Sequence, residues 1–395
     1  MFLFVPFCAS LTIYEAVERR TALETCQRYQ EDYLPTPTGP FWSGSTTNEC
    51  DPGEAINQDD FDKAEKRINF FRYMLGQAPI YENSSFRKAS QEGCAILSQY
   101  GSLTHHPSED FKCYTKLGDD ALGASNLYQT YINASLTDSI EAYMNDQTVE
   151  TVGHRRHIIA PTKLQWSGGV KDHFTNLYIQ GMTNRQKDDP LVTSVKFVAY
   201  PIGIVPINLC YNQWSLSHVT NATRKCTTTP DGKTSCVYYL YPKIFGPYKI
   251  TAYNSKGENI ITSTLLSNVE YGYSDAIVFK VNRTLIKAGE VYIVHAKSES
   301  DGFDVSYSVR PINCNDVTTE LDYSEELENK LLNPNEPLDS SDYGTKSNDP
   351  ENSGSSLGPG AIAGIVIAVI VVIVLAIVGF LIYQKKFKKD VSSSS

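Results

Sequence analysis

From Asp60 onward, apolar residues recur every three or four positions, at Phe61, Ala64, Ile68, Phe71 and Leu75. This spacing predicts an amphipathic helix, with Asp59 or Asp60 as its N-cap and Gly76 as its stop. A second helix is expected over 85–100, presenting Phe86, Ala89 and Leu97. Asp119 or Asp120 can cap a third, and Thr137 a fourth that carries Ile140, Tyr143 and Met144. The runs 164–170, 175–182 and 195–200 read as strands. Past Pro206 the helical period disappears. Short β-type runs follow at 237–240, 248–253, 276–281, 291–296 and 303–309, separated by turn residues; Phe303, Val305, Tyr307 and Val309 alternate strictly. The expected class is therefore α+β, with helices around a small sheet followed by a β-sandwich of immunoglobulin-like type.

Both ends of the chain depart from these patterns. Residues 361–383 form an uncharged apolar run of 23 residues, and Lys385, Lys386, Lys388 and Lys389 follow at once. As a helix the run spans about 34 Å, enough to cross the hydrocarbon core of a bilayer, and the lysines mark its cytoplasmic side. Residues 1–16 are expected to be a secretory signal, built on Phe2, Leu3, Phe4, Val5 and Phe7, with Ala9 or Ala16 as cleavage positions. The expected order is signal 1–16, irregular N-terminal arm 17–58, helical domain 59–203, β-sandwich 204–314, stalk 315–360, transmembrane helix 361–383 and cytoplasmic tail 384–395. This makes a type I plasma-membrane protein with an extracellular ectodomain.

Charge sharpens that division. Residues 315–358 hold eleven acids and two lysines, a net −9 of the chain's −10. A segment so charged, and rich in Pro, Ser and Asn, buries too little apolar surface to offset its chain entropy, and reads as a self-repelling stalk. The rest of the ectodomain is nearly neutral, which excludes an electrostatic case for nucleic-acid binding. Of nine cysteines, Cys8 falls in the signal. The even remainder predicts disulfides in an oxidising compartment. Cys26 and Cys50 can close the arm, Cys210 and Cys314 bracket the sandwich, and Cys226 and Cys236 flank a Pro230-Asp231-Gly232 turn that would set them opposite each other. Sequons at Asn83, Asn133, Asn221 and Asn282 suit a glycosylated ectodomain.

The remaining signal is a set of short motifs: Leu103-Thr104-His105-His106-Pro107, then Cys113-Tyr114-Thr115 through Ser125-Asn126-Leu127, then Val152-Gly153-His154-Arg155-Arg156 with Pro161 beyond. In order and spacing they resemble the microbial branch of the CAP superfamily (cysteine-rich secretory proteins, antigen 5, pathogenesis-related proteins), across residues 60–201. That resemblance implies an α-β-α sandwich, and Tyr200-Pro201 through Trp214-Ser215-Leu216-Ser217 matches the linker and β-domain that follow in such proteins. It also implies a cleft where two histidines and two acids meet, binding zinc or another divalent ion in some members. Here the histidines are His105 and His154. The family's usual Glu is replaced by Ser125, so the carboxylates fall to Asp120 or Glu150. His157 is a possible third imidazole, although on a strand it would share a side with Arg155 rather than His154. Arg155 and Arg156 are expected to pair with acids such as Asp146, and His106 to be solvated. Three roles are open to the histidine pair: hydrogen-bonded structural residues, a degenerate metal cleft, or a catalytic dyad. No Gly-x-Ser-x-Gly elbow supports a nucleophile. The expected function is non-enzymatic binding of an extracellular protein, lipid or glycan. The alternative is a tethered metal-dependent hydrolase using the same histidines.

Overall fold

The computed structural model describes residues 17, 20–44, 48–55, 57–180, 195, 197–218, 223–228, 234–239, 248–267, 276–298 and 303–317. The chain divides into two compact units, Met1–Thr345 and Lys346–Ser395, and every described residue falls in the first. Among the described residues no helix is long and apolar enough to cross a membrane. The 1–16, 315–360 and 361–383 expectations lie outside them, apart from the stalk's first three residues.

The fold is mixed α+β. The arm is more ordered than its prolines imply. It carries α1 (Ala22–Arg28), capped by the Thr21 hydroxyl, and a π-helical turn over Tyr29–Tyr33. Tyr33 packs edge-on against Phe71 at 5.6 Å, and its carbonyl accepts two bonds from the Arg67 guanidinium. Helix α2 (Gln58–Met74) follows, capped by Asn57 rather than by an aspartate, and α3 (Arg87–Tyr100) ends at a left-handed Gly101. Next come α4 (Lys116–Gly123), capped by Thr115, and α5 (Leu136–Asn145), capped by Ser135. Asp60 therefore has a different task from capping. Its buried carboxylate accepts the Leu136 and Thr137 amides at 2.8 and 2.9 Å, pinning the start of α5 to α2.

The first sheet has the order β1 (Tyr81–Glu82), β3 (Gln165–Lys171), β4 (Phe174–Tyr178), β2 (Ser125–Gln129), with β1 parallel to β3 and the other pairs antiparallel. Helices cover both of its faces. Two adjacent glycines of β3 show this, because successive strand residues face opposite sides. A Cβ on Gly168 would lie 2.6 Å from the Leu136 side chain of α5. A Cβ on Gly169 would lie 2.5 Å from the Ser90 backbone of α3. Trp166, on the Gly168 face, stacks on Phe61 of α2 at 6.1 Å.

Two further four-stranded sheets face each other. One runs β11 (Ile261–Ser267), β12 (Ala276–Val281), β7 (Gln213–His218), β5 (Phe197–Tyr200). The other runs β10 (Tyr248–Tyr253), β13 (Tyr292–Ser298), β14 (Asp304–Ile312), β6 (Gly203–Pro206). Trp214 of β7 packs edge-on against Tyr292 of β13, and Phe197 of β5 stacks on Tyr307 of β14. Strand β5, expected with the helical domain, pairs instead with β7 in the sandwich. The hairpin of β8 (Thr223–Thr228) and β9 (Thr234–Tyr239) sets the backbones of Cys226 and Cys236 directly opposite, as its turn spacing predicts. One buried apolar cluster runs from Val17 through Tyr200 and Trp214 to Val317.

The disulfides correct two expected pairings. Cys26 bonds Cys314, and Cys50 bonds Cys113. Helix α1 carries Cys26 inward to the end of the sandwich, away from Cys50, so neither Cys26–Cys50 nor Cys210–Cys314 forms. Cys94 and Cys210 are free and buried, and burial pushes both thiols up to about 12. They are unreactive as thiolates near neutral pH.

Candidate functional site

The Val152–Arg156 segment is helical, as α6 (Gly153–Ile158), rather than extended. A strand's alternation therefore does not govern it. The residue before it, Val152, has φ +46° and ψ +42°. A β-branched side chain is rarely held there, so the surrounding structure imposes that conformation. Asp146, at the end of α5, is also left-handed, with φ +50°. These two bends bring α6 back against α5. His154 Nδ1 then lies 2.8 Å from Asp146 Oδ1, and the Arg155 amide donates to Asp146 Oδ2 at 3.2 Å. The Gln213 amide of the sandwich holds the Asp146 carbonyl at 2.8 Å.

His105 is exposed on the segment before α4. Its Nδ1 lies 2.9 Å from the Leu122 carbonyl. A carbonyl only accepts, so this bond places a proton on Nδ1 and turns Nε2 away from Leu122. The carboxylate of Asp146 likewise accepts from His154 Nδ1. Both rings are thus oriented from behind, in the manner of ligating or base histidines. They share one support: Leu122 holds His105, and Asn126 Nδ2 donates to the His154 carbonyl at 3.0 Å. Leu122 and Asn126 bracket the junction of α4 and β2. The Asn126 carbonyl in turn accepts the Tyr143 hydroxyl at 3.0 Å. His154 remains 26% exposed while Asp146 is sealed. His157 is buried. Burial holds its imidazole well below the ordinary value, with Lys163, Arg156, His154 and His105 adding to the effect, so it stays neutral.

The expected acids do not join this pair. Asp120 makes an ion pair with Lys116 one helical turn back, in solvent. Glu150 is 75% exposed and faces Lys280 of the sandwich at 3.9 Å. Among the described residues no three His, Cys, Asp or Glu side chains are grouped to hold a metal. Asp146 is committed to His154 and to a backbone amide. Two imidazoles alone do not fit zinc, whose sites take three or four protein ligands. Ser125, at the position of the family's Glu, is fully buried and donates its hydroxyl to the Ala121 carbonyl at 2.6 Å, so it is not placed as a nucleophile.

Both arginine side chains are buried and reach the sandwich. The fully buried Arg155 donates to the carbonyls of Met144 and Asn145 at the end of α5, and to Gln213 of β7 at 2.8 Å, with its guanidinium over Tyr200. It closes a helix C-terminus and fastens that end to the sandwich. Arg156 donates to Ser267 of β11. Asp146 and Asn126 carry the histidine scaffold; the sequence placed Asn126 in a motif and Asp146 beside the arginines, but gave neither this task. The one available signal was an Asp just past a helical run, where left-handed backbone is tolerated.

Comparison with family models, with curated proteins and with solved structures found no match.

Proposed function

We propose that this chain is a single-pass type I surface glycoprotein. Its ectodomain is a CAP-like α-β-α sandwich joined to an immunoglobulin-like β-sandwich, and it works by non-enzymatic binding of an extracellular protein, lipid or glycan. Two disulfides favour an oxidising compartment. The order of the motifs, and a sheet with helices on both faces, favour the CAP-like reading.

One observation carries binding over hydrolysis. Both histidines have an Nδ1 bonded from behind, while among the described residues the expected acids Asp120 and Glu150 pair with lysines and the Ser125 hydroxyl is buried and bonded. Each ring keeps Nε2 for a hydrogen bond with a ligand. Among the described residues no third His, Cys, Asp or Glu joins them to hold the ion that metal-assisted hydrolysis requires.

The test uses the full chain in detergent and on cells. Zinc content and p-nitrophenyl acetate turnover should be the same for the wild type and for the His105→Ala/His154→Ala variant. An antibody against residues 315–358 should label unpermeabilised cells. Stoichiometric zinc or turnover lost with the two histidines overturns the binding reading. Labelling only after permeabilisation overturns surface display.

A further inference from the structure

Between β2 and α5 the chain makes a short outward tip at Tyr131, Ile132 and Asn133. Its base is pinched by two backbone bonds: the Thr130 amide to the His173 carbonyl at 3.0 Å, and the Ala134 amide to the Asp172 carbonyl at 2.9 Å. His173 Nδ1 also donates to the Ile132 carbonyl at 2.9 Å. The tip is therefore tied down from within. Yet Tyr131 is 101% exposed and Ile132 70%. Single exposed apolar side chains are ordinary. Two adjacent ones, held out on a fixed turn, call for a covering.

Asn133, in the sequon Asn133-Ala134-Ser135, directly follows them. Its side chain is exposed and makes no hydrogen bond among the described residues. We propose that Asn133 carries an N-linked glycan whose first N-acetylglucosamine lies over the Tyr131 ring and shields the tip. A pyranose has one face of axial C–H groups, and such a face packs on an aromatic ring as an apolar surface does. The inference rests on the export reading above, because only that route supplies the donor. In the transfer, Asn133 Nδ2 bonds to the anomeric carbon of a lipid pyrophosphate-linked oligosaccharide. The anomeric C–O bond breaks, the lipid pyrophosphate leaves, and the amide proton passes to solvent. Nothing is oxidised or reduced. Attachment precedes folding, so the later burial of Ser135 as the cap of α5 does not oppose it.

The other sequons differ. Asn83 also has a tyrosine two positions earlier, the half-exposed Tyr81. There the chain is extended, which sets the two about 6.6 Å apart along the strand. Asn83 Nδ2 already donates to Gln165 at 3.2 Å, and its Oδ1 accepts the Ser85 amide. Asn282 follows Lys280 at that spacing, and its Oδ1 caps a turn through Thr284. Asn221 lies outside the described residues.

The experiment expresses the full chain in a eukaryotic secretory host. Site occupancy is read by peptide mass spectrometry, and thermal unfolding in detergent is compared for the wild type, Asn133→Gln, Tyr131→Ala and the double variant. Asn133 should be occupied. Asn133→Gln should lower the midpoint by about 1–3 °C, the size of one stacking contact in a domain this large. Tyr131→Ala should lower it equally, and should have no further effect in the Asn133→Gln background. An unmodified Asn133 with sugar on another sequon overturns this inference and leaves export standing. A chain bearing no sugar at all overturns both. An occupied Asn133 whose stabilisation survives Tyr131→Ala overturns the stacking.

Discussion

Lys163 is buried, with its Nζ 3.4 Å from the Gln180 carbonyl. Burial, helped by the nearby charge of Arg72, lowers its pKa from 10.5 to about 8. The sign follows from proton counting. Between about pH 8 and 10.5 the unfolded chain holds a proton that the folded chain has released, so stability rises with pH across that window. Below pH 8 the cost of the buried charge is present in full, on the order of 3 kcal/mol. Lys163→Met is therefore expected to raise the unfolding midpoint at pH 7 and to flatten its rise between pH 8 and 10. A variant less stable than wild type at pH 7 would contradict this. Lys163 did not stand out in the sequence, because nothing local distinguishes a buried lysine from a solvated one. His105 and His154 did stand out through their motifs. Their bonding did not, since the atoms that orient them belong to Leu122, Asp146 and Asn126, each brought in by the fold.

At the scale of elements, close contact between α3 and the first sheet depends on Gly169. A methyl group there would meet the Ser90 backbone at 2.5 Å, and a helix backbone cannot rotate aside as a side chain does. Gly169→Ala should cost about 1–3 kcal/mol, typical of overpacking, read as a lower midpoint in chemical unfolding. An unchanged midpoint would show that α3 can shift on the sheet without cost. Helices α2, α3 and α5 were legible because their apolar residues step by three and four. Strand β2 was not, because its leading residues, Ser125 and Asn126, are polar and yet wholly buried, which removes any alternation. Helix α6 was hidden for a related reason. It is one short turn set by the left-handed Val152, with no apolar stripe to announce it. Strand β5 was visible as a strand, but a strand's sequence does not name its partner. Its pairing with β7 was decided by the packing of Phe197 and Tyr200.

At the scale of the molecule, the Cys26–Cys314 bond joins residues 288 positions apart. In the chain-entropy account, a loop of that length stabilises the folded state by about 5 kcal/mol. The Cys26→Ser/Cys314→Ser variant should unfold at a midpoint several degrees lower, with α1 the first segment cut by protease. A variant equally stable and equally resistant would mean that the packing of Tyr29 and Tyr33 alone holds α1. This pairing was beyond the reach of the sequence, where cysteine spacing favours near neighbours. It became fixed only when α1 and the end of β14 reached the same part of the core.

That bond also determines where tension on the chain would stop. A pull on the residues past Val317 would reach β14 from its C-terminal end, the direction that peels a strand from its neighbours one rung at a time. Cys314 meets the load first and passes it to the helix holding Cys26, so the ladders from β14 to β13 and to β6 are bypassed. The folded body can hang from its C-terminal end like a weight on a riveted hook, and the rivet must break before the last strand can unzip.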